Sequence, residues 1–320
     1  MLRWILQTLG IGAALFLLLP LIVVGLGGRL GDGTGGISFA DRVEVPEKIE
    51  VWREAEGRTE EIDFEEYVAC VVANEMPEDF HEEALKAQAV AARTYAMAKV
   101  QKYGSGGPDD HPKAPVCDTV HCQVYNTEDS KIAQKAADST SGQLLYYNGE
   151  LVSQPLFFSS SGGQTENSED VFVSAVPYLI SVASPYEEAA THRDEEKIFT
   201  VREMREKIKK AFPEEDFGTV NSSTIKILSR TAGGRVDRMQ IGDVTLKGTQ
   251  VRSALGLSSA LFTISFREGS GWNGQTEIIF TSSGSGHGVG MSQYGADGMG
   301  KEGYTYKEIL KHYYSGTEIY

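Results

Sequence analysis

The spacing of hydrophobic positions changes along the 320-residue chain, which begins with a continuously apolar segment. Residues 4–26 contain no charged side chain, and at roughly 1.5 Å per helical residue they are long enough to cross about 30 Å of hydrocarbon. This run predicts a transmembrane helix within residues 1–28, joined by a Gly-rich linker at 29–44 to an extracytoplasmic domain at 45–320. A cleaved signal peptide is the alternative interpretation of the run.

The next part of the chain has the apolar spacing of helices. Asp63 followed by Glu66 resembles a capping box, and it predicts a helix that Pro77 ends. Residues 82–103 are rich in Ala, Leu and Met, which favour helix, and they predict a second one. Before both helices, residues 47–63 have the pattern of two strands joined by a turn.

Alternating apolar and polar residues dominate beyond this helical part. Asn148-Gly149 lies between two short apolar runs and predicts a β-hairpin with a type I′ turn. We therefore predict the fold class α+β: an N-terminal transmembrane helix, then helices packed with antiparallel hairpins, with a cleft lined by Gly/Ser-rich loops. The remaining predicted elements are hairpins at 224–241 and 261–280 and helices at 201–212 and 304–314.

Charge and cysteine content narrow the possible functions. The chain has 30 Lys and Arg residues against 45 Asp and Glu residues. The net charge of −15 argues against nucleic acid as a partner, because phosphate binding needs a basic face. Three cysteines are too few for a disulfide framework, so we expect a hydrophobic core to stabilise the domain.

One acidic residue continues an apolar stripe. Val68, Val71, Val72 and Glu75 follow the helical spacing i, i+3, i+4, i+7, so a carboxyl ends the face that should turn to the core. Desolvation raises the pKa of such a carboxyl, as a general acid for glycosidic cleavage requires. Alternatively, Glu75 turns to solvent or pairs with an arginine. Arg93 is the nearest candidate partner; it would pair with Glu75, bind a substrate carboxylate or amide oxygen, or remain a surface charge.

A short segment between residues 111 and 122 collects metal-ligating side chains. His111, Cys117, His121 and Cys122 form a nitrogen and sulfur set of the kind that zinc prefers. We predict zinc ligation by His111, Cys117 and Cys122, with His121 as a competing ligand. A disulfide between Cys117 and Cys122, or free thiols, are the alternatives. Cys70 lies inside a predicted helix and is expected to be a packed apolar residue.

Two stretches, 159–172 and 282–300, are rich in glycines, hydroxyls and amides. Glycine lets the backbone approach a bulky ligand, and the polar side chains could bind sugar hydroxyls and N-acetyl groups. Flexible surface loops are the alternative interpretation. The candidate substrate-binding residues are Ser161, Gly162, Gly163, Gln164, Thr165, His287, Ser292 and Gln293.

Five separated motifs occur in one order along residues 45–320: EEYVACVVANEMP, ALKAQAVAARTYA, CDTVHCQVY, SSSGGQTENSEDVF and GHGVGMSQYGA. Together they resemble the stage II sporulation protein D family of endospore-forming bacteria. The resemblance implies a lytic transglycosylase that cuts between N-acetylmuramic acid and N-acetylglucosamine in peptidoglycan strands stripped of stem peptides. It also implies that Glu75 is the catalytic glutamate, that Arg93 is a functional arginine, and that the cysteine-containing segment binds zinc.

The resemblance further implies a non-hydrolytic mechanism and a role in forespore engulfment. Glu75 would protonate the glycosidic oxygen and then take the proton of the muramic acid C6 hydroxyl, leaving a 1,6-anhydro end. The implied partners are a sporulation amidase-endopeptidase and a multi-pass membrane protein, at the mother-cell membrane facing the septal space. Two other functions stay open: a zinc-dependent wall amidase or peptidase, and a non-catalytic glycan-binding activator of a partner amidase.

Overall fold

Helices and short strands are mixed along the residues that the computed structural model describes, which are 42–119, 121–126, 130–172, 174–269 and 275–320. In chain order, the helices are α1 (Phe64–Glu75), α2 (Glu82–Tyr103), α3 (Lys131–Ser139), α4 (Ser168–Val171), α5 (Val201–Ala211), α6 (Gly248–Leu255), α7 (Gln293–Lys301) and α8 (Tyr306–Tyr313). The strands are β1 (Lys48–Arg53), β2 (Arg58–Asp63), β3 (Val116–Cys117), β4 (Leu145–Tyr147), β5 (Glu150–Leu151), β6 (Phe157–Phe158), β7 (Glu195–Thr200), β8 (Ile225–Arg230), β9 (Val236–Ile241), β10 (Val244–Lys247), β11 (Phe262–Arg267), β12 (Glu277–Ser282), β13 (Met291–Ser292) and β14 (Thr317–Ile319).

The structure corrects the predicted membrane span. Among the residues it describes, no helix is both long and apolar enough to cross a bilayer. Helix α2 has 22 residues, but charged side chains such as Lys86, Arg93 and Lys99 lie along it. We therefore correct the fold class to a mixed α+β fold and withdraw the single-pass membrane location. Residues 4–26, on which that prediction rested, lie outside the described residues.

The helix that carries Glu75 starts and packs as its pattern predicts. The Asp63 side chain accepts hydrogen bonds from the backbone N–H groups of Glu65 and Glu66, both at 3.0 Å, and so caps α1. The apolar stripe is confirmed, because Val68, Val71 and Val72 have no exposed surface. The strands β1 and β2 form the predicted hairpin before the helix, and β3 pairs with β1 in parallel.

A layer of helices surrounds α2, which packs against α1, α3, α7 and α8. The buried face of α2 is made largely of alanines, including Ala84, Ala87, Ala91 and Ala92, and these small side chains let the neighbouring helices approach closely. Helix α3 was not predicted. It completes the layer by packing against both α1 and α2.

The second half of the chain is built mainly of antiparallel sheets, as the alternating pattern predicts. Sheet orders are β10-β9-β8, β11-β12-β7 and β14-β4-β5, whereas β13 and β6 pair in parallel. Asn148 and Gly149 have φ of 50° and 86°, which fits the predicted type I′ turn. Helices α5 and α6 cover the first two of these sheets around one hydrophobic core that includes Met204, Ile208 and Phe280.

The prediction that residues 282–300 form a loop is wrong for the second half of the segment, which forms α7. Glycines lower helix propensity, but here they allow contacts that a side chain would prevent. A Cβ atom on Gly298 would lie 1.9 Å from the carbonyl oxygen of Tyr186, and one on Gly295 would lie 2.1 Å from the Tyr313 hydroxyl. Close packing against these neighbours therefore outweighs the low propensity.

Candidate functional site

Glu75 is the last residue of α1 and lies at the edge of the core. The buried valines of α1 turn this face inward, so the carboxyl is partly withdrawn from water. Burial raises its pKa above the usual value of 4.5. A protonated carboxyl at this position can donate a proton nearer to neutral pH than an exposed glutamate can.

Two uncharged groups approach the Glu75 carboxyl and partly oppose this rise in pKa. They are the side chain of Gln293 and the backbone of Val124, and both favour the charged form. Gln293 is 6% exposed. Its Nε2 atom is near enough to favour the charged carboxylate, but it does not form a hydrogen bond of ordinary distance and angle. Within the described residues, no Lys, Arg or His forms an ion pair with Glu75, so its charge is not neutralised.

Arg93 lies in the interior, where it joins three helices. Its side chain has no exposed surface and pairs with Glu65 of α1 through Nε at 2.9 Å and Nη2 at 2.5 Å. Nη2 also donates to the carbonyl oxygen of Ala137 in α3 at 3.1 Å, and Nη1 donates to that of Gln143 at 3.3 Å. The alternative of an Arg93–Glu75 pair is not observed, and Arg93 presents no surface to a ligand.

The four candidate metal ligands come together, and their donor atoms all lie within 4.8 Å of one another. His111 Nε2 is 3.2 Å from His121 Nδ1 and 3.3 Å from Cys122 Sγ, and Cys117 Sγ is 3.9 Å from His121 Nδ1. Tetrahedral zinc with ordinary Zn–N and Zn–S bonds separates its donors by about 3.3–3.8 Å. The set therefore fits zinc with four protein ligands, and it includes both histidines.

Hydrogen bonds from outside the cluster orient both imidazoles. His111 Nδ1 lies 2.9 Å from the carbonyl oxygen of Ala114, which leaves Nε2 facing the cluster. His121 Nε2 lies 3.0 Å from Asp110, which leaves Nδ1 facing it. Such supporting contacts are usual around metal-ligating histidines. The cysteines are free thiols in this structure.

The Gly- and Ser-rich stretches are held by a buried carboxylate that sequence reasoning missed. Glu187 is 7% exposed and accepts hydrogen bonds from the backbone N–H groups of Ser161 and Gly162. The hydroxyls of Ser184 and Ser292 donate to it as well, at 2.8 and 2.5 Å. Ser161 and Ser292 are therefore committed to an internal network and present no hydroxyl to solvent.

A buried ion pair fixes the other side of the first stretch. Glu166 and Arg235 are almost fully buried and lie 3.2 Å apart. Arg235 also donates to the carbonyl oxygens of Ser161 and Gln164 at 2.9 and 3.2 Å. Neither member of this pair was predicted, because their partners are distant in sequence.

The remaining predicted residues have different surroundings. Thr165 is buried and exchanges hydrogen bonds with Val182, whereas the exposed Gln164 amide donates to Ser181. The ring of His287 lies between those of Phe158 and Phe172, and burial lowers its pKa to about 4, so it is neutral near pH 7. Of the residues predicted to bind substrate, the structure brings Gln293 to Glu75.

Comparison with known proteins identifies the family. A model described as Stage II sporulation protein matches residues 53–147, and one described as Domain of unknown function (DUF8618) matches residues 177–290. The chain is 41% identical over 290 residues to Stage II sporulation protein D of Bacillus subtilis (strain 168), covering 86% of this chain and 79% of that protein. The chain belongs to the stage II sporulation protein D family.

Other relatives agree with this assignment. Stage II sporulation protein D of Bacillus amyloliquefaciens is 38% identical over 291 residues, which cover 86% of this chain and 79% of that protein. An amidase enhancer of Bacillus subtilis (strain 168) is 29% identical over 298 residues, which cover 78% of this chain and 39% of that protein. Membership in the stage II sporulation protein D family gives this chain a role in sporulation.

Proposed function

We propose that this member of the stage II sporulation protein D family remodels the cell wall as a lytic transglycosylase. Its substrate is a peptidoglycan strand without stem peptides, and Glu75 cleaves the bond between N-acetylmuramic acid and N-acetylglucosamine. The observation that carries the proposal is the half-buried Glu75 carboxyl, whose pKa is raised by desolvation and which has no cationic partner among the described residues. A cation would hold the carboxyl ionised and unable to donate a proton.

The reaction needs one carboxyl because the sugar provides the nucleophile. Glu75 donates its proton to the glycosidic oxygen, and the bond from C1 of the muramic acid to that oxygen breaks. The C6 hydroxyl oxygen of the same ring bonds to C1, and its proton passes to the Glu75 carboxylate. Glu75 is protonated again at the end, no water is consumed, and the product carries a 1,6-anhydro ring. Hydrolases that recruit water use two carboxylates.

Gln293 and Val124 support the second half of this cycle. After proton donation the carboxylate is charged in a partly desolvated place, and both groups favour that form. Their effect is smaller than that of burial, because the net shift of the pKa is upward. Glu75 can therefore act first as an acid and then as a base.

Zinc is part of the proposal as a structural ion. His111, Cys117, His121 and Cys122 would hold it, and four protein ligands leave no open position for a substrate or a water. Val124 follows Cys122 by two residues, so the ligated segment positions the backbone that approaches Glu75. The four-ligand geometry disfavours a zinc-dependent amidase or peptidase, which needs an open position.

Arg93 is proposed to position Glu75 and not to touch the substrate. It pairs with Glu65 in the first turn of α1, and Glu75 ends the same helix. Fixing α1 against α2 and α3 fixes the carboxyl at its other end. An amidase-endopeptidase that supplies peptide-free strands remains a proposed partner, and so does a multi-pass membrane protein.

The test is the digestion of amidase-treated peptidoglycan by the full chain, followed by mass spectrometry of the products. We expect 1,6-anhydro ends from the wild type and a loss of at least about a hundredfold in their rate of formation with Glu75→Gln, because a general acid contributes about 10²–10⁴-fold. Glu78→Gln, an exposed glutamate three residues further on, is the matched control and should retain activity. Reducing ends, released peptides or no products from the wild type would refute the proposal.

The similarity to an amidase enhancer supports a second candidate function, the binding of glycan to activate a partner amidase. The same digestion separates the two. A wild-type chain that binds the strands and stimulates an added amidase, but forms no anhydro ends, would favour this second function.

A further inference from the structure

Glu187 is a buried carboxylate that ties the two Gly- and Ser-rich stretches together. Its two oxygens accept three hydrogen bonds from the backbone N–H groups of Ser161 and Gly162, at 2.9–3.0 Å. The hydroxyls of Ser184 and Ser292 donate to Oε1 at 2.8 and 2.5 Å. Hydrogen bonds to an ionised acceptor are roughly twice as strong as those between neutral groups, so this carboxylate holds the segments firmly in place.

Ser292 transmits this restraint to α7. It is fully buried and caps the helix, because its Oγ atom accepts a hydrogen bond from the N–H of Gly295 at 3.1 Å. Since the hydroxyl oxygen accepts this bond, its hydrogen is available to Glu187. On the other side, the N–H of Tyr294 donates to the carbonyl oxygen of Ser159 at 3.0 Å. The first turn of α7 is therefore fixed between Glu187 and the first Gly- and Ser-rich stretch.

Gln293, the residue after Ser292, carries the effect to Glu75. Its amide favours the charged form of the Glu75 carboxyl, although Nε2 forms no hydrogen bond of ordinary distance and angle. The strength of a hydrogen bond falls steeply with poor geometry, so a contact at this limit depends strongly on position. A small displacement of the first turn of α7 would therefore remove it.

We propose that Glu187 is a positioning residue for the lytic reaction: it holds the first turn of α7 so that the Gln293 amide lies against the Glu75 carboxyl. This inference rests on the proposed function of Glu75. The oxygens of Glu187 are occupied by internal donors, so it acts without touching the substrate. After Glu75 has protonated the leaving oxygen it is charged, and an amide held in place beforehand stabilises it at that point.

The charge of Glu187 is not what acts on Glu75. Burial, Gln293 and Val124 account for the raised pKa of Glu75, and no charged side chain among the described residues contributes. Tyr67, on the same helix, is neutral because burial raises its pKa well above the usual value. If the charge did act, neutralising Glu187 would lower the pKa of Glu75, since a nearby negative charge disfavours ionisation. Loss of the Gln293 contact has the opposite sign and raises it.

Tyr313 and Arg235 are titratable neighbours of Glu187. The Tyr313 hydroxyl lies 2.7 Å from that of Ser184, and burial raises the pKa of Tyr313, so it stays neutral. Arg235 donates to the carbonyl oxygen of Ser161 at 2.9 Å, while the N–H of Ser161 donates to Glu187. Neither neighbour changes its charge near neutral pH, so neither would imitate a change in the titration of Glu75.

The titration of Glu75 tests the inference, followed by ¹³C NMR of the full chain labelled at its glutamate carboxyls. The resonance of Glu75 is identified by its loss in Glu75→Gln. Ser292→Ala removes the hydroxyl that joins Glu187 to α7, and it should move the titration to higher pH. Ser184→Ala removes the other buried hydroxyl that donates to Glu187, so it is the matched control and should leave the titration in place.

Glu187→Gln gives the second variant. It leaves one acceptor oxygen where the carboxylate accepts five hydrogen bonds, so the titration should again move to higher pH. Glu188→Gln removes the same charge at the exposed neighbouring residue and should not move it. If Glu187 acts through Ser292, the double variant should titrate like Ser292→Ala alone. A downward or absent shift in Glu187→Gln, or shifts that add in the double variant, would overturn the inference.

Lysis separates this inference from the proposed function. Ser292→Ala should lower kcat about tenfold with KM nearly unchanged, because the contact stabilises the charged carboxylate during the reaction and not the bound strand. Normal lysis by the wild type, with an unchanged titration in Ser292→Ala and Glu187→Gln, would refute only the positioning role. If both variants shift the titration but the wild type forms no anhydro ends, the catalytic proposal fails and the link from Glu187 to Glu75 stands.

Discussion

Gln293 lies against Glu75 and opposes the effect of burial on the pKa of that carboxyl. The two residues are the first residue of α7 and the last of α1, so the contact depends on how these helices are placed. Burial disfavours the charged carboxylate, and the amide favours it. The balance leaves the pKa raised, which is the condition for a group that must both give and take a proton.

The pH dependence of lysis should report this balance. If Glu75 donates the proton, activity is present while the carboxyl is protonated and falls as the pH rises through its pKa. Gln293→Leu removes a group that lowers the pKa, so the alkaline limb of kcat/KM should move to higher pH. The measurement is the rate of formation of anhydro ends across the pH range. Gln101→Leu, at an exposed position of α2, is the control, and a limb that stays in place or moves to lower pH in Gln293→Leu would contradict the assignment.

Arg93 should contribute mainly to the stability of the folded protein. Arg93→Ala removes the guanidinium that pairs with Glu65 and donates to two carbonyl oxygens. Glu65 keeps its hydrogen bonds from Ser141 and Gly142, so we expect a loss of about 3 kcal/mol in the free energy of unfolding, measured in urea. Arg93→Lys keeps the charge but not the planar fork, so it should lose less. Arg58→Ala breaks only exposed ion pairs and should change little. An unchanged stability together with lost glycan binding would instead assign Arg93 to the substrate.

Metal analysis should find one zinc ion per chain. Alanine substitution of His121 should lower the zinc content as much as substitution of Cys117 does, because both belong to the four-ligand set. Removal of zinc by a chelator should lower the melting temperature and also reduce lysis, since the ligated segment carries Val124 to Glu75. Cys70→Ala, a buried cysteine outside the cluster, is the control. Zinc retained in His121→Ala but lost without His111, Cys117 or Cys122 would indicate a three-ligand site with an open position.

Local patterns predicted the part of the site that belongs to α1. The Asp63 cap, the valine stripe and the place of Glu75 at its end depend on neighbours within one helix, and periodicity detects these. The ligand segment was also detectable, because its four side chains are close in sequence. The membrane span was predicted from the length of the uncharged run at residues 4–26, which lie outside the described residues, and no helix among the described residues is long and apolar enough to cross a bilayer.

Contacts between distant segments could not be predicted in this way. Glu187 has the composition of an ordinary surface acid, and only the tertiary structure shows that two serine hydroxyls and two backbone N–H groups converge on it. Arg93 has the same ambiguity, since its spacing does not reveal the position of Glu65. Helix α7 was predicted as a loop because its glycines reduce helix propensity, and the gain from close packing is invisible in a single sequence.

The glycines of α7 have a consequence for which substitutions this protein can accept. Gly298 touches the backbone of Tyr186 and Gly300 faces the ring of His81, so even alanine at either position would push the helix away from its neighbours. Gln293 would move with it, and the proton affinity of Glu75 would change although no polar group had been altered. Gly298 and Gly300 carry no reactive atom, yet few substitutions at these positions are compatible with an intact site. A loss of activity can therefore arise from a single added methyl group.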